Sequence, residues 1–391
     1  MANQIQQLFV DQDVTNTSAA TDISQTETSS SEDEDELSSF ETLRISNISQ
    51  LVTNLPPKLD GLRIEECTYL EAIPKNLLHV MSTLKELYLI DCCSFKSFPQ
   101  HGFLISLRTL YVSNCPKLEF FSSSEFIHKF QFLAHLTIGS SCDSLTVFTL
   151  DFFPKLKYLS LWNCFNLVSF KISEEFTGNL TSFKSLEIRD CPNLKSFPIG
   201  GLPTPNMASL FISNCKILKN TPNSKKSLLS LQSMILNECP ALESLSLEAS
   251  PNLSSLSISF CDKLIPLKSW GLYSFQYLSS FEIEGGCDGM ESFPEEELLP
   301  NNINSLCISK LQSLKKLDYN GFKHLNALQE LEINGCNQLH SLPEKRLPFS
   351  LQYLCINQSP LLTQKLSTKA GEDWNKIAHI PLIEIDGKEI S

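Results

Sequence analysis

The sequence lacks several things that would place it quickly. No stretch of about 18 consecutive apolar residues occurs, so nothing in it predicts a transmembrane helix. The opening residues, MANQIQQLFVDQDV, have no basic segment followed by an apolar one, and this excludes a secretory signal peptide there. The first 41 residues contain ten acids and no Lys or Arg, which leaves −3 of the net charge of −13 for residues 42–391. The remainder is thus nearly balanced and shows no basic stripe of the kind that binds nucleic acid. The 14 cysteines show no C-x₂-C spacing and no grouped histidines, so no metal site is expected. The seven histidines form no triad pattern and G-x-x-x-x-G-K-[ST] is missing, so no catalytic or nucleotide chemistry is expected either.

What is present is a repeat. LKELYLIDCCSF (84–95), LRTLYVSNCPKL (107–118) and LQELEINGCNQL (328–339) share one template, L-x-x-L-x-(L/I/V)-x-x-C-x-x-L-x-x-(F/L)-P. Its second Leu position is filled by Leu62, Leu87, Leu110, Leu136, Leu159, Leu186, Leu210, Met234, Leu256, Phe281, Leu306, Leu331 and Leu354 at intervals of 22 to 27 residues, with a weaker unit at Leu43. About fourteen units result. In x-L-x-L-x the aliphatics are two apart and face one side of a short strand. One such strand cannot bury its face alone, so the units must stack into a parallel sheet with a continuous core. At about 4.8 Å per strand, fourteen make a sheet about 65 Å long. The second half of each unit, such as LKSFP (194–198), returns across the other side, and its proline stops a strand or helix from continuing. The period falls within the range of leucine-rich repeats. Residues 40–365 resemble that superfamily. The resemblance implies an α/β leucine-rich-repeat solenoid, a horseshoe with its parallel sheet on the concave face and irregular or 3-10 turns on the convex face.

Nine cysteines share one slot, five residues after the second Leu: Cys67, Cys92, Cys115, Cys164, Cys191, Cys215, Cys239, Cys261 and Cys336. Cys142 and Cys287 are displaced by one; Cys93, Cys307 and Cys355 lie outside. A cysteine in this slot packs as a small hydrophobe and is a weak partner for backbone groups that the turn leaves unpaired. Stacked side chains point in parallel, not at each other, which disfavours disulfides. The expectation is a buried ladder of reduced thiols in a reducing compartment.

Residues 1–39 read as a disordered, acidic, Ser/Thr-rich leader. Its SSSEDEDE (29–36) suits an acidophilic kinase at Ser29–Ser31, against the plainer reading of a solvating segment. Residues 40–365 form the array and 366–391 a C-terminal cap. Within the cap, a short helix is expected from Glu372 to about His379. IPLIEIDG (380–387) is expected as a strand ending in a turn at Asp386–Gly387. Trp374, Ile377, Ile380 and Ile383 are expected to cover the last coil.

GEDWNKIAHIPLIEIDG (371–387), following cysteine-containing L-x-x-L-P repeats, resembles the C-terminal end of intracellular plant disease-resistance proteins of the coiled-coil, nucleotide-binding, leucine-rich-repeat class (NLR proteins). The resemblance implies a cytoplasmic, sometimes nuclear, protein. It also implies that the repeats recognise pathogen effectors or altered host proteins and restrain an ATP-binding switch domain. Without a phosphate loop, the family's ATPase chemistry is not carried over. The expectation is the sensor part without its switch, whether a fragment, a truncated product or a stand-alone decoy or adaptor.

The variable strand positions carry the functional expectation, because packing does not dictate them. In the N-terminal half they offer Arg63, Glu65, Tyr88, Asp91, Arg108, Tyr111, His135, Tyr158, Trp162, Arg189, Asp190 and Phe211. Tyr88, Tyr111, Tyr158 and Trp162 are expected to be exposed together, and aromatics and Arg are enriched at binding hot spots. The C-terminal half offers an acidic strip of Glu282, Glu284, Glu330 and Glu332. Strand positions favour aromatics in any case, and exposed Glu is ordinary. The expected partner is a protein: an effector, a host target or an NLR switch domain. No cofactor, metal, membrane or nucleic acid is expected, and no enzymatic activity. The alternative is a substrate receptor for ubiquitin ligation, which would need helix-forming turns and an N-terminal F-box. The units here end in F-P or L-P, and residues 1–40 are too polar for an F-box.

Overall fold

The computed structural model describes residues 42–46, 59–74, 82–98, 104–119, 130–222, 228–245, 247, 250–264, 267–287, 289–366 and 371–390. The expectations for the acidic leader lie outside the described residues.

Alternating apolar residues form strands of five residues wherever the template predicts them. Glu86–Ile90 buries Leu87 and Leu89 and leaves Glu86, Tyr88 and Ile90 half-buried. The same alternation recurs in Thr109–Ser113, Ser185–Arg189, Ser209–Ser213, Ser233–Asn237 and Ser280–Glu284. All fourteen template positions, from Leu43 on Thr42–Ile45 to Leu354 on Tyr353–Asn357, lie on strands of one sixteen-stranded sheet. Up to the last pair, neighbouring strands are parallel and paired without slippage, as in Tyr88↔Tyr111 and Glu332↔Cys355. A one-residue slip would turn every core leucine to solvent, so the pattern itself fixes the register.

Each strand leaves the sheet through the same turn. The residue before the cysteine slot has positive φ on thirteen successive units: Glu66, Asp91, Asn114, Ser140, Asn163, Asp190, Asn214, Glu238, Phe260, Gly285, Lys310, Gly335 and Gln358. On the first twelve its backbone N–H donates to the next strand's last residue, for example Asp91 to the Ser113 carbonyl at 3.0 Å, and on the thirteenth Gln358 donates to the Asp386 carboxylate at 2.9 Å. The slot residue then closes a turn, as where the Phe95 N–H donates to the Cys92 carbonyl at 3.0 Å. The slot thiols are buried and donate to carbonyls: Cys92 to Ile90 at 3.4 Å and to Ile64 at 3.7 Å, Cys115 to Ser113 at 3.4 Å and to Leu89 at 3.8 Å. Two slots without cysteine hold Ser141 and Ser359, whose hydroxyls accept from the N–H of Cys115 and of Cys336 on the preceding units. All fourteen cysteines are free. Burial pushes the thiol of Cys67 up to about 11 and that of Cys142 up to about 12.

The return side is more regular than expected. Val147–Thr149 pairs with Ser169–Lys171 and Ser292–Phe293 with Lys316–Leu317, both in parallel, and single bridges such as Ala72–Ser97 continue the pattern. Short 3-10 turns occur at Leu150–Phe152, Leu267–Trp270 and Leu272–Ser274. Among the described residues the α-helices are Tyr319–Phe322 and Pro360–Leu366. Phenylalanines form a spine inside this side: Phe153, Phe148, Phe170 and Phe197 follow one another at centroid distances of 5.6, 5.4 and 5.1 Å.

At the C-terminal end, Leu382–Ile385 adds a further parallel strand, with Ile383 beside Leu354. A turn at Asp386–Gly387, both at positive φ, brings back the antiparallel Lys388–Glu389. Ile377, Ile380 and Ile383 are buried and Trp374 is partly buried against the same core. The helix expected from Glu372 to His379 is instead a single 3-10 turn at Trp374–Lys376, after which the chain turns straight into the strand.

Candidate functional site

Opposite the core, the sheet presents an open face. Each strand contributes side chains in three columns: one before the first core aliphatic, one between the two, and one after. Register then decides which residues touch. The middle column begins Arg44, Arg63, Tyr88, Tyr111 on consecutive strands. Arg63 and Arg44 both pair with the buried carboxylate of Glu65. The Arg63 guanidinium lies 5.6 Å from the Tyr88 ring centroid, and the Tyr88 and Tyr111 rings are 6.0 Å apart. The Tyr88 hydroxyl donates to Glu86 at 3.3 Å. Burial and the Glu86 carboxylate push Tyr88 up to about 12.

The four predicted aromatics divide among the columns. Tyr88 and Tyr111 pair. Tyr158 lies in the first column, stacked on His135 at 4.8 Å and 46% exposed. Trp162 lies in the third, folded across Gly139 of the preceding strand; a Cβ there would meet the indole at 1.9 Å. They form three separate features, not one cluster. Arg189 and Phe211 do meet: the guanidinium sits 4.6 Å from the ring centroid and also pairs with Glu187. Asp91 and Asp190 are not strand-face residues. They occupy the positive-φ turn, where Asn114 donates to Asp91 at 2.7 Å and Asn214 to Asp190 at 2.6 Å. Arg108 lies one residue ahead of its strand, at the entry edge, and is exposed.

The C-terminal half has another chemistry. Its middle column reads Glu282, Cys307, Glu332, Cys355, Glu384 over five consecutive strands. Ser257 donates to Glu282 at 2.9 Å, Tyr353 donates to Glu384 at 3.1 Å, and Lys310 pairs with Glu284 at 2.8 Å. Burial, then Glu330 and Glu282, hold the Glu332 carboxyl above the usual carboxylate range. Burial and the flanking glutamates push the Cys307 thiol up to about 12. The alternation of Glu with Cys in this column went unnoticed at the sequence level, because it emerges only when register aligns residues 23 to 29 apart. No group of three His, Cys, Asp or Glu able to hold a metal ion occurs among the described residues. Among the described residues no helix is long and apolar enough to cross a membrane.

No family model matches the chain. Among curated proteins it is 39% identical over 359 residues to the disease resistance protein At3g14460 of Arabidopsis thaliana, covering 92% of this chain and 25% of that protein. It is 30% identical over 276 residues to the TMV resistance protein N of Nicotiana glutinosa, covering 69% of this chain and 20% of that protein. The chain thus spans a quarter or less of the length of these relatives. Among solved structures, TLR13 from a complex with ssRNA13 aligns at a TM-score of 0.39 and 15% identity, covering 81% of this chain and 55% of that chain. The circular leucine-rich-repeat protein CroV588 aligns at 0.35 and 15%, covering 77% and 53%. At such scores neither bears on function. The repeat template, the unbroken parallel ladder and the 39% identity make this chain a leucine-rich-repeat array homologous to a part of the plant disease-resistance proteins.

Proposed function

We propose that the chain is a non-enzymatic protein-recognition module of plant innate immunity. In this reading it senses a pathogen effector, or a host protein altered by one, or engages an NLR switch domain, in the cytoplasm or nucleus. The observation that carries the reading is the in-register run of Arg63, Tyr88 and Tyr111 on a face that the core does not use. Half-buried aromatics beside an arginine, on rigid strands, lose little entropy when a partner covers them. Fourteen free thiols suit a reducing compartment. The second focus is Arg189 with Phe211, on the third and fourth strands beyond that of Tyr111.

Proximity labelling in infected tissue tests the reading. Enrichment of immune receptors or effectors is expected, and it should diminish with Tyr88→Ala/Tyr111→Ala. Recovery of ubiquitin-ligase subunits without immune proteins would overturn it.

A further inference from the structure

The strand-entry edge of the sheet carries a feature that the linear sequence conceals. Two residues ahead of each central core aliphatic, the backbone stacks in its own ladder. The Arg108 N–H donates to the Lys85 carbonyl at 2.7 Å, Ala134 to Arg108 at 2.7 Å, Lys157 to Ala134 at 2.8 Å and Lys184 to Lys157 at 2.8 Å. Four cations therefore stand in one row over five strands, about 19 Å from end to end at 4.8 Å per strand. Lys85 pairs with Asp60 at 3.1 Å. Arg108, Lys157 and Lys184 are exposed and make no ion pair among the described residues. The field of Lys157 is felt locally: burial, then Lys157, hold His135 below its usual range. Beside the row, two rings stand out into solvent, Phe132 at 60% exposure and Tyr158 at 46%.

We infer that this edge is a second docking surface, bordering the first column of the open face, for an acidic protein segment that carries an apolar side chain between its carboxylates. Charge complementarity gives the sign of the partner, and Phe132 and Tyr158 give the apolar component. A long polyanion such as single-stranded nucleic acid fits less well. The row is short, residues 42–391 are net negative, and the C-terminal part of the same sheet is acidic, so phosphates running past Lys184 would meet no further cations in the row and then Glu282, Glu330 and Glu332. A compact acidic segment uses the row and stops.

Fluorescence anisotropy with the full chain tests this. The probe is a fluorescein-labelled peptide of glutamates with interspersed leucines; its glutamine counterpart and an oligothymidylate are the comparators. The acidic peptide should bind, the glutamine peptide should bind about tenfold or more weakly, and added salt should weaken the acidic complex. Arg108→Glu/Lys157→Glu should cost about tenfold or more, whereas Lys195→Glu/Lys263→Glu, an exposed pair elsewhere, should stay within about twofold. If the reversal variant fails to fold, Arg108→Gln/Lys157→Gln/Lys184→Gln should lose affinity in the same direction. The proposal is overturned if the acidic peptide does not bind below about 1 mM, if the glutamine peptide binds equally, or if the edge variants match the wild type or the control pair. Tighter binding of oligothymidylate, lost in the same variants, would overturn it in favour of nucleic acid. None of these outcomes depends on Tyr88 or Tyr111.

Discussion

At the N-terminal end of the open face the middle column runs Arg44, Arg63, Tyr88 and Tyr111; at the C-terminal end it runs Glu282, Cys307, Glu332, Cys355 and Glu384. The backbone beneath them is the same, so the difference isolates what side chains do when register stacks them about 4.8 Å apart. In the first case neighbours attract, through a shared carboxylate, a cation over a ring and a ring beside a ring. In the second, like charges would repel if adjacent. The thiols separate them, so that successive carboxylates in the column stand about 10 Å apart, near the screening length of physiological salt. One end is tied together by its own surface; the other is spaced to tolerate it.

Four experiments can break or sharpen this contrast. If the difference is confined to the surface, the core should be indifferent to it. Leu87→Ala and Leu331→Ala should each cost about 3 kcal/mol, seen as lost hydrogen-exchange protection around the altered strand. A cost at one end less than half that at the other would show that the contrast reaches the core. Next, Tyr88→Ala/Tyr111→Ala should cost about 1 kcal/mol of local stability while reducing partner capture several-fold. A loss as large as that of Leu87→Ala would mean that the rings belong to the core.

The third effect is smaller. The carboxyl of Glu332 is held high by burial, then by Glu330 and Glu282, with Glu384 adding to them and Asn334 opposing. Its folded pKa thus exceeds its unfolded one, and the proton is bound more tightly in the fold. The stability this gives is fully present below the unfolded value and is lost as pH rises through the folded value. Acidifying from neutral through that window should raise protection of Glu330–Asn334 by less than about 1 kcal/mol, given solvent screening, and leave Glu86–Ile90 unmoved. Glu332→Gln should abolish the response; a response that survives it would assign the effect to other groups. The fourth experiment changes no stability. Alkylation of the native chain at pH 8, read by peptide mass spectrometry, should modify the half-buried Cys93 well before its neighbour Cys92, which is fully buried. Equal rates would contradict the buried thiol ladder.

The strands, their register and the hydrophobic cover of the last coil were legible in the sequence, because a period-two pattern repeated every 22 to 27 residues has one way to bury its aliphatics. What was not legible depends on neighbours far apart in the chain. Tyr158 precedes its template leucine where Tyr88 follows its own, so its column was readable, but its stacking on His135 of the preceding strand was not. Lys85, Arg108, Lys157 and Lys184 look scattered until the backbone ladder stacks them. Asp91 and Asp190 were misplaced onto the strand face for a different reason: the turn before the slot needs positive φ, which Asn and Asp adopt more readily than most residues. A signal for it was present. The thirteen residues at that position include seven Asn, Asp or Gly. None of the thirteen is β-branched.

That turn has a consequence for how such a gene changes. The twelve successive units from Glu66 to Gly335 leave their strands with the same hand and hydrogen bond, although the residue at the turn varies from Asn to Phe to Lys. A unit lost or duplicated by unequal crossing-over between two template leucines would therefore leave no seam in the backbone. It would only slide one set of exposed side chains against another. Removing residues 210–233, one whole unit, should give a chain that folds with its thiols still protected, whereas removing half a unit should not. The open face can then be recombined as whole rungs, with the core serving as a common joint.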